Sequence, residues 1–141
     1  MTKNGPIVII EDDDDDQQLL GDVFKELNYK HEIIYFADGE EALAYLISAD
    51  VKPFIIFSDI NMPKLSGLEL REKVHNNEDL RLKSIPYLFF TTSAEQDAVI
   101  DAYSKSVQGF FIKPSTFPEL KRVMKVIIEY WQDCVSPNYV K

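Results

Sequence analysis

The sequence holds little of what marks special architectures. One cysteine, Cys134, excludes an internal disulfide framework and is the usage expected of a reducing cytoplasm. Five glycines and seven prolines, scattered through 141 residues, exclude collagen-like, linker-rich and disordered compositions. No apolar run exceeds six residues, against about 20 for a bilayer span. The stretch before Glu11 also lacks the length and cleavage site of a secretory signal, so no membrane insertion is expected. Basic residues are in deficit, 15 against 24 acidic, and form no stripe to meet phosphates, which argues against a direct nucleic-acid partner. No repeat of solenoid period is visible.

What remains is a globular mixture, 45% hydrophobic and 28% charged, sized for a single domain over 1–141. The tail after residue 134 is too short for an output domain. The acidic excess is concentrated: Glu11-Asp12-Asp13-Asp14-Asp15-Asp16 supplies six of the nine net negative charges. Such a block points at a local cation rather than at a general partner preference.

Apolar runs alternate with amphipathic stretches from end to end. The runs 7–10, 32–37, 54–58, 87–91 and 109–112 read as strands, four of them nearly all apolar, as strands covered on both faces are. The run 32–37 reads as an edge or near-edge strand. Helical stripes follow: Leu19, Leu20, Val23, Phe24 and Leu27, then Ala42, Leu43, Leu46 and Ile47, then Leu68, Leu70 and Val74 after Gly67. A fourth helix begins near Ser93, with Gln96 completing a capping box, and carries Ala98, Val99, Ala102 and Tyr103. The last spans 117 to about 134, with Leu120, Val123, Met124, Ile127 and Trp131 on one face and Val126 and Tyr130 off it. Five strands and five helices predict an α/β, doubly wound parallel sheet of strand order 2-1-3-4-5, the first strand central. The connection 76–84 is longer than this architecture needs and has no assigned role.

In such sheets the residues after each strand converge on one crevice, at the reversal between the first and third strands. Here they are Glu11-Asp12, Ser58-Asp59, Thr91-Thr92 and Lys113-Pro114, all polar at the first place. Three close carboxylates stay ionised only around a cation. All-oxygen ligation favours Mg²⁺ or Mn²⁺ over zinc, and neither His31 nor His75 ends a strand. A carboxylate beside such a metal and a lysine is a nucleophile toward phosphorus, and Asp59 is the candidate. Ile60-Asn61-Met62-Pro63 after it can turn a backbone carbonyl toward the metal.

These motifs in this order resemble the receiver domain of two-component response regulators, over about residues 5 to 134. With no further domain following, the chain resembles the single-domain, chemotaxis-type regulators, whose fold is flavodoxin-like. The resemblance implies that Asp59 accepts a phosphoryl group from a phosphohistidine on a sensor histidine kinase or phosphotransfer protein. It implies that Asp12 and Asp59 bind the metal directly, that Glu11 does so through water, and that the Asn61 backbone carbonyl completes the set. Lys113 bridges Asp59 and the phosphoryl oxygens. Thr91 swings toward them on activation and Phe110 rotates into the space vacated. A cis bond before Pro114 is also implied. Output is expected by contact with an unidentified downstream protein through the fourth helix, fifth strand and fifth helix, with Val126 and Tyr130 as a candidate apolar flank.

Two departures from the family pattern are visible: Phe110 stands where a tyrosine is frequent, and Thr92 where a smaller residue is common. Thr92 is expected to hinder attacking water and prolong the acyl phosphate. Asp13 to Asp16 read as a solvated run capping the first helix. The competing classes are a Mg²⁺-dependent phosphatase with an aspartyl nucleophile and a pseudo-receiver that binds partners without phosphorylation. Asn61 occupies the place of the second acid such phosphatases use, and the receiver acids and lysine are all present.

Overall fold

The computed structural model describes residues 2–48, 50–92 and 96–135. The apolar runs become β1 (Ile7–Ile10), β2 (Ile33–Phe36), β3 (Ile55–Ser58), β4 (Tyr87–Thr91) and β5 (Gly109–Ile112). Between and after them lie α1 (Asp14–Leu27), α2 (Gly39–Ile47), α3 (Gly67–Asn76), α4 (Glu78–Leu82), α5 (Gln96–Ser104) and α6 (Phe117–Asp133). All strand pairings are parallel and the order is β2-β1-β3-β4-β5, as the alternation predicts. β1 is interior, with β3 at the middle of the sheet and the chain reversal between them.

Alternation along each strand divides the interior in two. Ile7, Ile9, Phe57 and Phe90 pack with Leu20, Val23 and Phe24 of α1 and with Leu120, Met124 and Ile127 of α6. Val8, Ile10, Ile56 and Phe89 pack on the other face with Ala42, Leu46, Leu70, Val74, Leu80 and Ala102 of the remaining helices. Side-chain acceptors cap the helix starts: Asp13 takes the Asp15 and Asp16 N–H groups, Asp38 that of Glu41, and Ser66 with Glu69 forms a full capping box. Such caps each contribute about 1 kcal/mol. α1 ends on Asn28 in the left-handed region, at φ 58°, a conformation asparagine tolerates.

Several expectations are corrected. The described helices number six, because the 76–84 connection contains α4. Asn77 caps it by accepting from Leu80 N–H, and Leu80 is its one buried residue, too little apolar period to read from sequence. β5 holds the second sheet edge, as the predicted order places it, but is less covered than its apolar run reads, with Phe110 and Phe111 half-buried and Ile112 exposed. Leu19, Ile47 and Tyr103 sit on the shoulders of their stripes and are exposed. The bond before Pro114 is trans, as are all described peptide bonds, in line with the ordinary preference of about 0.5–1 kcal/mol. Ser93, expected to cap the fourth helix, and residues 136–141 of the expected tail lie outside the described residues. Val126 and Tyr130 are exposed, as read from their places off the α6 stripe.

Candidate functional site

The parallel ladder continues one residue beyond the strands, and this aligns the polar residues of the crevice. The Glu11 N–H donates to the Phe36 carbonyl at 2.9 Å and the Asp59 N–H to the Ile10 carbonyl at 2.9 Å. Across the sheet, the Lys113 N–H donates to the Thr91 carbonyl at 2.7 Å. Glu11 and Asp59 are thereby set side by side, and Lys113 next to Thr91.

Gly67 fixes the depth at which Asp59 lies. Its N–H donates to the Ile60 carbonyl at 2.8 Å, closing the loop between Asp59 and α3. A Cβ on Gly67 would stand 2.0 Å from the Asp59 carbonyl oxygen and 2.9 Å from the Phe89 ring. Only glycine lets the start of α3 press on the backbone of the candidate nucleophile.

Glu11, Asp12 and Asp59 each present a carboxylate oxygen, all within 4.8 Å of one another. Glu11 is 2% exposed, Asp59 half-buried and Asp12 open to solvent. Lys113 reaches into the group from β5. Its Nζ pairs with Glu11 Oε2, lies 2.9 Å from Asp16 Oδ2 and stands 3.5 Å from Asp59 Oδ2. Asp59 Oδ1 accepts the Ile60 N–H at 2.7 Å, which orients the carboxylate. Burial pushes the Glu11 carboxyl up to about 7, against the Lys113 hydrogen bond and charge, with the Asp59 charge adding to the rise. Burial opposes the Lys113 charge too, but the hydrogen bonds it donates to Glu11 and Asp16 and the charges of Glu11 and Asp59 outweigh it and push the ammonium up to about 12. Lys113 is a fixed cation in the crevice.

The other expected residues lie around this group. Thr91 is buried at the end of β4 and Thr92 exposed beside it. Asn61 is exposed on the loop two residues beyond Asp59. Phe110 is half-buried, its ring 5.8 Å from that of Phe89. Of the acidic run, Asp13 is the helix cap and Asp14 and Asp15 are solvated, as read from sequence. Asp16 is neither, since it is ion-paired with Lys113.

Arg71 also escapes a reading by sequence. It is 6% exposed, donates to the Lys105 and Ser106 carbonyls at 3.0 and 2.7 Å, and lies 5.3 Å from the Tyr87 ring centre. It staples α3 to the end of α5, where a cation meets the helix dipole.

The sequence profile of the response regulator receiver domain matches residues 7–125. The chain belongs to that family. Receiver domains are the phosphoacceptor switches of two-component signalling; they bind Mg²⁺ at an acidic pocket and interact with histidine kinases or phosphotransfer proteins. Among relatives, the probable methanogenesis regulatory protein FilR2 of Methanothrix harundinacea is 33% identical over 129 residues, covering 89% of this chain and 82% of that protein. The response regulator Rcp1 of Synechocystis sp. is 31% identical over 135 residues, covering 92% and 90%. The Mn²⁺-bound structure of Rcp1 superposes on this receiver with a TM-score of 0.81, over 94% of this chain and 97% of that one at 30% identity. The phosphorylated cyanobacterial phytochrome response regulator RcpA gives 0.85, over 96% and 99% at 26% identity.

Proposed function

We propose that this receiver is phosphorylated on Asp59, in a divalent-cation-dependent reaction, by a phosphohistidine of a sensor histidine kinase or phosphotransfer protein. The observation that carries the reading is the convergence of Glu11, Asp12 and Asp59 with Lys113 at one point of the sheet rim, from segments as far as 102 residues apart. The donor set fits Mg²⁺ or Mn²⁺: three carboxylates with oxygens inside 4.8 Å and neither nitrogen nor sulfur. Asp12 and Asp59 would hold the ion directly, with the Asn61 carbonyl and, through water, Glu11. When bound, it would neutralise the crowded carboxylates and take up charge on a phosphoryl oxygen.

The chain's own groups do the rest. An Asp59 carboxylate oxygen forms the new bond to phosphorus as the phosphorus–nitrogen bond of the phosphohistidine breaks, and the electron pair leaves with the imidazole. Lys113 donates to the phosphoryl oxygens, and its fixed charge offsets theirs. Thr91, at the end of β4, turns its hydroxyl toward the new group, and Phe110, half-buried at the sheet edge, moves inward against Phe89. The signal then leaves through protein contact on α5, β5 and α6. That reading is supported by Ile100, Tyr103, Ile112, Val126 and Tyr130, large apolar residues more than half exposed on these three elements. No described helix is long and apolar enough to cross a membrane, and a cytoplasmic setting matches the single cysteine.

Intact-mass measurement after incubation with acetyl phosphate tests the reading. One added phosphoryl group that requires both Mg²⁺ and Asp59 is expected. Phosphate release at sustained enzymatic rates would favour the phosphatase class, and no modification would favour a pseudo-receiver.

A further inference from the structure

The last member of the acidic run departs from its neighbours. Asp16 lies in the first turn of α1, its N–H held by the Asp13 cap, and its half-buried carboxylate meets Lys113 Nζ at 2.9 Å. An ammonium has three donor protons, and three carboxylates share this one at unequal distances. In this structure Glu11 and Asp16 hold Lys113 in hydrogen bonds, while Asp59, at 3.5 Å, receives its longest contact. The cation needed at Asp59 is therefore drawn toward Glu11 at the end of β1 and Asp16 at the start of α1.

We propose that Asp16 is a positioning residue for Lys113. It holds the ammonium away from the unmodified Asp59 and competes for it with a phosphoryl group there. This rests on Asp59 being the phosphoacceptor. Two consequences follow from the charges. Occupation of Asp59 by a phosphoryl dianion must pull Lys113 off Asp16, so the start of α1 senses the state of Asp59 through one shared cation. Loss of the Asp16 charge leaves Lys113 shared between Glu11 and Asp59 alone, and the modified state is favoured.

Asp16→Asn keeps the shape and removes the charge. Beryllofluoride, a tetrahedral phosphoryl analogue, is titrated at saturating Mg²⁺ into the parent, Asp16→Asn, Lys113→Gln and the double variant. Asp16→Asn is expected to bind about three- to tenfold more tightly than the parent, the size of a partly exposed charged hydrogen bond. Asp16→Glu should return toward parental affinity. In the Lys113→Gln background the Asp16 change should have no effect. A gain of equal size in that background would mean that Asp16 acts by general repulsion of anions, and would overturn the proposal.

Lysine-selective ¹⁵N NMR of the unmodified protein reads the pair without any phosphoryl chemistry. The Lys113 ammonium resonance is expected to move in Asp16→Asn, and an unmoved resonance overturns the proposal. If the resonance moves but no form, the parent included, binds beryllofluoride, the phosphoacceptor reading of Asp59 is what fails, and the competition goes with it.

Discussion

Replacing Gly67 with alanine adds one methyl group at the point where α3 meets the candidate nucleophile. The new carbon would begin 2.0 Å from the Asp59 carbonyl oxygen and 2.9 Å from the Phe89 ring. Both neighbours resist: the first is backbone held in the β3 ladder, the second a fully buried ring. Relief requires α3 or the Asp59 loop to shift by roughly 1 Å, and over-packing of this kind costs about 1–3 kcal/mol. Gly67 has no positive φ, so strained backbone adds nothing, and the helix preference for alanine returns at most about 1 kcal/mol. For a chain of 141 residues each kcal/mol moves the thermal midpoint by about 3–5 °C, so a fall of several degrees is expected. The displaced Asp59 should weaken Mg²⁺ binding in the same variant. Gly21→Ala is the control. Its Cβ would meet only the Tyr35 hydroxyl, at 2.9 Å, at the end of a side chain able to move, and α1 gains helix propensity. Circular-dichroism melts should show Gly67→Ala below the parent and Gly21→Ala level with it or above. A Gly67→Ala protein as stable as the parent, with unchanged Mg²⁺ affinity, would refute the claim that this glycine sets the depth of Asp59.

Arg71→Met should cost about 2–4 kcal/mol in urea unfolding, since two charge-assisted hydrogen bonds and a cation–aromatic contact are lost from a buried position. Arg71→Lys should recover little of this, because an ammonium lacks the planar fork that spans both carbonyls; a loss below about 0.5 kcal/mol would remove the staple from the account. Thr92→Ala should shorten the lifetime of the acyl phosphate by opening a path for water, and an unchanged decay of the phosphorylated mass would dismiss that role. Val126→Ser with Tyr130→Ser should leave the unfolding free energy within about 1 kcal/mol of the parent, as both side chains are exposed and only the Tyr130–Trp131 ring contact is lost. The same pair should weaken capture of a partner by the phosphorylated form, and unchanged capture would move the output surface elsewhere.

Much of this was legible in the sequence because strand identity, order and strand-end chemistry are carried by local pattern. Ile7–Ile10 and Tyr87–Thr91 announce buried strands by composition, and the polar residue after each strand marks the crevice without any knowledge of distance. The sheet topology then brings Glu11, Asp12, Asp59 and Lys113 together. What was not legible depends on tertiary contact. Asp16 looks like Asp14 and Asp15 until Lys113 arrives from the far end of the chain. Arg71 has the sequence of a surface arginine, and its partners are carbonyls, which leave no trace in side-chain pattern. α4 is held by one cap and one buried leucine. β5 is as apolar as the interior strands, but how far the helices cover it is a tertiary matter, and it is left with Phe110 and Phe111 half-buried and Ile112 exposed.

The most direct test of the central claim is to locate the phosphoryl group by chemistry. Borohydride reduces an aspartyl phosphate to homoserine, which survives proteolysis and can be sequenced. After treatment with acetyl phosphate and Mg²⁺, homoserine is expected at position 59 and nowhere else in the chain, and it should vanish when Mg²⁺ is chelated or Lys113 is replaced by glutamine. Homoserine at any other aspartate, or at position 59 in full yield without Mg²⁺ and without Lys113, would contradict the account.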